Sequence, residues 1–229
     1  MMLDVKEVAR YLAVSEKTVY RWISGKEIPA YKIGQSYRFN RVELLEWATE
    51  RKIKVSHDLF SEEIAAGSDM PSLTDSLAAG GIHYSLPGSD KENLLRSIVN
   101  VMPLPADIDR DFLAEALLAR ENLGTTAIGD RIAIPHVRNP IVFHIGSPVL
   151  SLCFLDHPVD FGALDGQGVD TVFTLMTPTV RSHLHLLSRL GFALHLPELR
   201  KIVNRSSTAQ QITAAFAACE ARLNDAGRK

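Results

Sequence analysis

The chain has 229 residues, 46% of them hydrophobic and 23% charged, which is enough apolar material for a core and a length that suits one domain of ordinary size plus a small one. No run of about eighteen apolar residues occurs, and the N-terminus lacks a basic stretch followed by an apolar one, so neither a membrane span nor a secretory signal is expected and the cytoplasm is the expected compartment. The formal net charge of -2 hides an asymmetry: residues 1–54 hold 11 Lys/Arg against 7 Asp/Glu, while the rest holds 14 against 20, so a nucleic-acid contact is expected in the N-terminal piece.

Asp4 is placed to cap a first helix in which Val5, Val8, Ala9 and Leu12 recur on one face. Ser15 caps a second helix, whose wheel separates Val19, Trp22 and Ile23 from Lys17, Tyr20, Arg21 and Ser24. The second face offers two cations and two hydroxyls, groups that contact phosphates and base edges. Gly25 ends that helix. Residues 28–39 then alternate apolar and polar around Gly34-Gln35-Ser36, the pattern of a short hairpin. Asn40 is placed to cap a third helix, residue 41 to about 52, whose Leu44, Leu45, Trp47 and Ala48 close a small core.

Helix, turn, helix, hairpin, helix is a winged arrangement. The succession KEVARYLAVSEKTVYRWISGKEIPAYKIGQSYRF at positions 6–39 resembles the MerR/excisionase type of helix-turn-helix domain. The resemblance implies that Lys17, Thr18, Tyr20 and Arg21 face duplex DNA, with Gln35, Tyr37 and Arg38 on the wing. From the residues alone, a solvated helix face on a module that binds protein stays open. The expected division is a head at residues 1–54, a linker at 55–81 and a second domain at 82–229. The linker segment is Ser-, Asp-, Ala- and Gly-rich, with short helices expected at Leu59-Phe60-Ile64 and Leu73-Leu77.

The second domain opens with an extended His83-Tyr84. Ser89 and Glu92 read as a capping box for a helix with Leu94, Leu95, Ile98 and Val99 inward, stopped by Pro103 and Pro105. A further helix begins at Ile108 or Asp109 and ends at Leu123-Gly124, with Arg120 in its last turn. Strands are expected at 132–134, 149–154 and 172–176, with an Asp165-Gly166 turn between the last two, and helices at 179–196 and 207–223. Strands interleaved with helices imply an α/β sandwich, a central mixed sheet flanked by helices, behind the winged head. Cys153 and Cys219 lack Cys-x-x-Cys spacing and read as buried small hydrophobes. No cofactor or metal is expected: His183 and His185 lie two apart on a helix, about 200° in rotation, where joint metal binding needs i, i+4.

The stretch LLARENLGTTAIGDRIAIPHVR at residues 117–138 resembles the phosphoacceptor motif of phosphotransferase-system IIA domains of the fructose/mannitol/nitrogen class, and the last 150 or so residues fit that resemblance. It implies that His136 is the phosphorylated residue, that His183 lies beside it, and that an HPr-type phosphocarrier is the donor. The residue chemistry agrees, because imidazole, with a reference pKa near 6.5, is mostly neutral at pH 7. Pro135 biases Ile134 toward extended geometry, so His136 is expected just past a strand end, in a loop. Arg120 is the candidate to stabilise charge on a phosphoryl group in transfer. Two departures from the family pattern stand out: Arg131 and Val137-Arg138 occupy positions where glycines are usual before Ile-Ala-Ile and after the histidine.

Three functions follow as alternatives. One is a DNA-binding regulator set by reversible histidine phosphorylation. Another is a phosphocarrier passing its phosphoryl group to a IIB domain. The third is a IIA-like binding module without the chemistry. A homodimer is compatible with a single small head, since recognition helices commonly act in pairs.

Overall fold

The computed structural model describes residues 2–33, 36–40, 43–44, 47–48, 51, 53, 70–137, 143 and 145–226. The chain divides into two compact units, one up to residue 69 and one from residue 70 onward.

In the first unit, β1 (Met2–Leu3) leads into α1 (Val5–Tyr11) and α2 (Glu16–Ser24), followed by β2 (Tyr31–Ile33) and β3 (Ser36–Asn40). Asp4 caps α1 in a reciprocal box: its carboxylate accepts from the Glu7 amide at 2.8 Å, and its own amide donates to the Glu7 carboxylate at 2.7 Å. Ser15 caps α2. Val8, Leu12, Val19, Phe39 and Leu44 are fully or almost fully buried between these elements. Residues 43, 44, 47 and 48 are helical, and Trp47 meets Trp22 edge to face at 5.1 Å. Its indole N–H donates to the Glu27 carbonyl at 2.5 Å, giving the polar end of a buried Trp a partner. Apart from Arg51, which stands in a turn, the remainder of the expected third helix lies outside the described residues, as do Gln35 and most of the linker. The hairpin gains a strand that periodicity does not reveal: Leu3 pairs with Phe39, making a three-stranded antiparallel sheet ordered β1-β3-β2.

The second unit runs α3 (Leu73–Gly80), β4 (Ile82–Leu86), α4 (Lys91–Val101), α5 (Arg110–Leu123), β5 (Ala127–Gly129), β6 (Ile132–Ala133), β7 (Val149–Val159), β8 (Val169–Met176), α6 (Val180–His195), α7 (Pro197–Ile202) and α8 (Ala209–Ala226). Its mixed sheet is ordered β4-β7-β8-β6-β5, with β4 parallel to β7 and β6 parallel to β8. Alternation along the central strands sorts the core into two layers. Leu150, Leu152, Phe154, Phe173 and Leu175 pack with α3, α6, α7 and α8. Val149, Cys153, Leu155, Val172 and Met176 pack with α4 and α5 on the other face. Each fully buried Leu or Phe contributes about 1.5–3 kcal/mol.

Residues 73–80, assigned in the sequence to the linker, form a helix integral to this unit. Gly80 lies so close to β7 that a Cβ on it would sit 2.2 Å from the Leu150 carbonyl oxygen. At the other end of α3, the Glu220 carboxylate reaches from α8 to accept from the Leu73 amide at 2.5 Å and the Thr74 amide at 3.0 Å. Burial acts to raise the Glu220 pKa, but the bonds from Thr74, Leu73 and Ser72 outweigh it and hold the carboxyl below its usual range. Asp90, not Ser89, caps α4, accepting from the Asn93 amide. Asp and Ser compete closely as caps, and Ser89 instead donates to the Asp90 carboxylate at 2.9 Å. Strand β5 and helix α7 go beyond the sequence reading. The former is three residues long, and Leu196 both ends α6 and starts α7, so the apolar pattern runs across the joint.

Candidate functional site

The site grows from the β5–β6 hairpin. Gly129 pairs with Ile132, leaving Asp130-Arg131 as a two-residue loop with φ of 52° and 66°, the signature of a type I′ turn. Arg131 thus occupies a left-handed position that favours glycine. It is held there by two contacts to the Asp170 carboxylate, at 2.7 and 2.6 Å, and by its carbonyl, which accepts from the Asp170 and Thr171 amides.

From this turn β6 runs beside β8, and past Pro135 the pairing resumes as an isolated parallel bridge between His136 and Leu175. His136 lies just past the end of β6, as expected, but the bridge ties it to the sheet and the residue is almost buried, at 4% exposure, where an open loop was expected. Its Nδ1 lies 2.7 Å from the Ile134 carbonyl oxygen. A carbonyl only accepts, so Nδ1 carries the proton and, in the neutral ring, Nε2 carries the lone pair. His183 stands in the first turn of α6, which Thr179 and Ser182 close with a capping box. Its ring centroid is 5.2 Å from that of His136, tilted by 45°, and it is 1% exposed. The positive end of the α6 dipole thus lies at the histidine pair, where added negative charge is favoured.

Arg120, also buried, sits in the last turn of α5 and donates to the Gly124 carbonyl at 2.9 Å. That turn abuts the His136 strand, because the Thr126 carbonyl accepts from the Ile134 amide at 3.0 Å. His185 faces away, toward the Pro71 backbone and Arg189. Burial first, and the Arg189 charge second, lower its pKa to about 4. Arg131 does not stand beside the nucleophile candidate: five residues of extended chain separate it from His136, about 16 Å. Val137 is buried in the core, and Arg138 lies outside the described residues. A cavity of about 370 Å³, lined among others by Asp130, Thr171, Arg200 and Arg205, lies at the Arg131 end of the strands, away from the histidines. Among the described residues no group of three or more potential metal ligands gathers, and no helix is long and apolar enough to cross a membrane.

One residue escaped the sequence reading. Glu121 is buried and accepts from the Thr126 amide at 2.9 Å and the Thr126 hydroxyl at 2.5 Å. The signal was available, since Leu113, Leu117 and Glu121 recur every four residues and place a carboxylate on the core stripe of α5.

On the first unit, Lys17, Tyr20 and Arg21 project into solvent from α2, Tyr20 at 48% exposure. Tyr37 meets Tyr20 edge to face at 6.4 Å, joining the hairpin to the exposed helix face. Arg38 donates to the Tyr37 carbonyl. Thr18 is half-buried and its hydroxyl lies 3.0 Å from the Ser15 cap, so part of its hydrogen-bonding capacity serves the helix end.

A mixed sheet between two helical layers, with a histidine at a strand end facing a helix histidine, defines an α/β domain of the IIA type. The chain belongs to the family described as phosphoenolpyruvate-dependent sugar phosphotransferase system, EIIA 2, whose model matches residues 76–219, and it carries a helix-turn-helix domain at residues 2–52. It is 36% identical over 144 residues to the nitrogen regulatory protein of Pseudomonas aeruginosa, a match covering 61% of this chain and 91% of that one. Against the nitrogen regulatory protein of Bradyrhizobium diazoefficiens it is 33% identical over 147 residues, covering 63% and 94%. The crystal structure of nitrogen regulatory protein IIA-Ntr from Neisseria meningitidis superposes with a TM-score of 0.53 at 26% identity, over 60% of this chain and 93% of that one. All three matches leave a large part of this chain uncovered, and the family model itself begins only at residue 76.

Proposed function

We propose that this protein is a cytoplasmic DNA-binding regulator whose EIIA-type domain accepts a phosphoryl group on His136 from an HPr-type phosphocarrier, with the head at residues 1–54 binding duplex DNA. The observation that carries the reading is the hydrogen bond from His136 Nδ1 to the Ile134 carbonyl, which leaves Nε2 as the nucleophile beside His183. In the transfer, the bond from donor nitrogen to phosphorus breaks as the Nε2–phosphorus bond forms, and the Nδ1 proton stays in place. His183 lies within reach of the incoming phosphoryl oxygens, and Arg120, held against the turn next to the strand, is the candidate cation for their charge. A low-dielectric surrounding strengthens such interactions. On the head, the exposed cations and hydroxyl of Lys17, Arg21 and Tyr20 supply phosphate and base contacts.

The test is incubation of the full chain with a phosphorylated HPr-type donor and mapping of acid-labile phosphate. Label on His136 supports the reading, and absence of label under conditions that phosphorylate a known IIA domain overturns it. A second reading, onward transfer to a IIB domain, draws on one relative, the fructose-specific EIIABC component of Bacillus subtilis, 33% identical over 132 residues that make up 56% of this chain and 20% of that one. Loss of label from the phosphorylated chain on adding a IIB domain distinguishes the two.

A further inference from the structure

We infer that Glu121 and Thr126 are positioning residues that set the tautomer of His136 through the backbone. The inference deepens the phosphoacceptor reading and rests on it. Four linked hydrogen bonds carry the argument. The Glu121 carboxylate accepts from both the amide and the hydroxyl of Thr126, at 2.9 and 2.5 Å. The Thr126 carbonyl accepts from the Ile134 amide at 3.0 Å. The Ile134 carbonyl accepts from His136 Nδ1 at 2.7 Å. The carboxylate is itself held from behind, its other oxygen lying 3.4 Å from Lys91 Nζ, which also donates to the Phe161 carbonyl at 3.3 Å.

The chain of bonds fixes orientation at each step. With both Thr126 donors on one carboxylate oxygen, the peptide that follows is pinned, and its carbonyl aims at Ile134. The Ile134 peptide, pinned at its amide, presents its own carbonyl to the imidazole. A ring held in this way keeps its proton on Nδ1 and its lone pair on Nε2, with no need to reorient when phosphorus arrives. Burying a charge is costly, and here the carboxylate is held where it satisfies the Thr126 amide and hydroxyl and pairs with Lys91, so an apolar residue continuing the Leu113–Leu117 stripe would take the acceptor of those donors away.

The test uses the full chain labelled with ¹⁵N-histidine. In the wild type, ring nitrogen shifts of His136 report Nδ1 protonated and Nε2 unprotonated. In Glu121→Ala that preference weakens, and the rate constant for transfer from a phosphorylated HPr-type donor falls about 10–100-fold while half-saturation by the donor is unchanged. Glu121→Gln, which keeps one oxygen acceptor for Thr126, restores most of the tautomer preference. Should Glu121→Ala not fold, Thr126→Val keeps the shape, loses the hydroxyl bond, and shifts the tautomer in the same direction by less. A wild-type tautomer in Glu121→Ala, or in Thr126→Val where the alanine variant does not fold, overturns the inference even if phosphorylation proceeds. A tautomer that responds in a chain that takes no phosphate leaves the positioning role standing and removes the phosphoacceptor reading instead.

Discussion

The two units of this chain hold their candidate functional groups in opposite ways. In the head, Lys17, Tyr20 and Arg21 stand in solvent on α2 while Val19 anchors the same helix beneath them. In the body, His136, His183, Arg120 and Glu121 are all buried within the hydrogen-bonded frame of sheet and helices. Exposed cations suit a partner that is a line of phosphates, where salt decides affinity. A buried pair of imidazoles suits a reaction that needs one tautomer and little competing water. The difference teaches where candidate function and packing separate: on the head the candidate contacts and the buried anchor lie on different faces of one helix, and in the body the candidate groups are themselves buried.

Substitutions should therefore act on one property in the head and on two in the body. The largest effect is expected at the histidine pair. His136→Ala should abolish phosphoryl labelling, whereas His183→Ala should slow it without removing the acceptor, both read by transfer from a labelled donor. His185→Ala should leave the label near wild type, since its ring faces Pro71. On the head, Arg21→Ala should weaken DNA binding by about 1–3 kcal/mol if it reads a base, or lower the salt slope by about one if it holds a phosphate. The melting temperature should not move in either case. A large loss of stability in Arg21→Ala would break the contrast between the two units.

A smaller effect is expected in the pH dependence of stability. Folding holds the His185 pKa at about 4, below the ordinary value near 6.5, so between those limits the unfolded chain binds the extra proton. Stability should fall as pH drops from about 6.5 to about 4, and His185→Gln should flatten that part of the profile. Glu220, its pKa held down in the fold, contributes stability that is lost only at lower pH, as acid titrates the carboxylate. Thermal melts at closely spaced pH values separate the two windows. The smallest effect is expected at the hairpin turn: Arg131→Gly relieves a left-handed residue worth about 1–2 kcal/mol and loses an exposed ion pair worth about 0–1 kcal/mol. Net stability should thus change little or rise slightly, and phosphoryl transfer should stay at the wild-type rate.

How far the sequence foretold the molecule depends on the length over which each signal repeats. Helices of two turns or more announced themselves through apolar periodicity, with caps at Asp4 and Ser15. Strands β7 and β8 were legible as apolar runs. Strands β1 and β5, of two and three residues, are too short for alternation to register, and their pairing is decided by partners far away in the chain. The α3 helix was visible as Leu73 and Leu77, but its place inside the body depends on Gly80 against Leu150 and on Glu220, almost 150 residues downstream. Of the site, the motif pointed to His136 and Arg120 together and the family resemblance to His183. The burial of His136 and the part played by Glu121 needed the three-dimensional pairing of the Thr126 turn with the strand after it. Arg131 shows the converse: a departure from the family pattern five residues before the histidine is, in three dimensions, a turn residue paired with Asp170.

The measurement that bears most directly on the account is the attachment point of phosphate on the chain. After transfer from a phosphorylated HPr-type donor, nitrogen–phosphorus couplings in ¹⁵N-histidine-labelled full-length protein should place the phosphoryl group on Nε2 of His136, with Nδ1 still protonated. Phosphate on Nδ1 of His136, on His183, or on no histidine would contradict it.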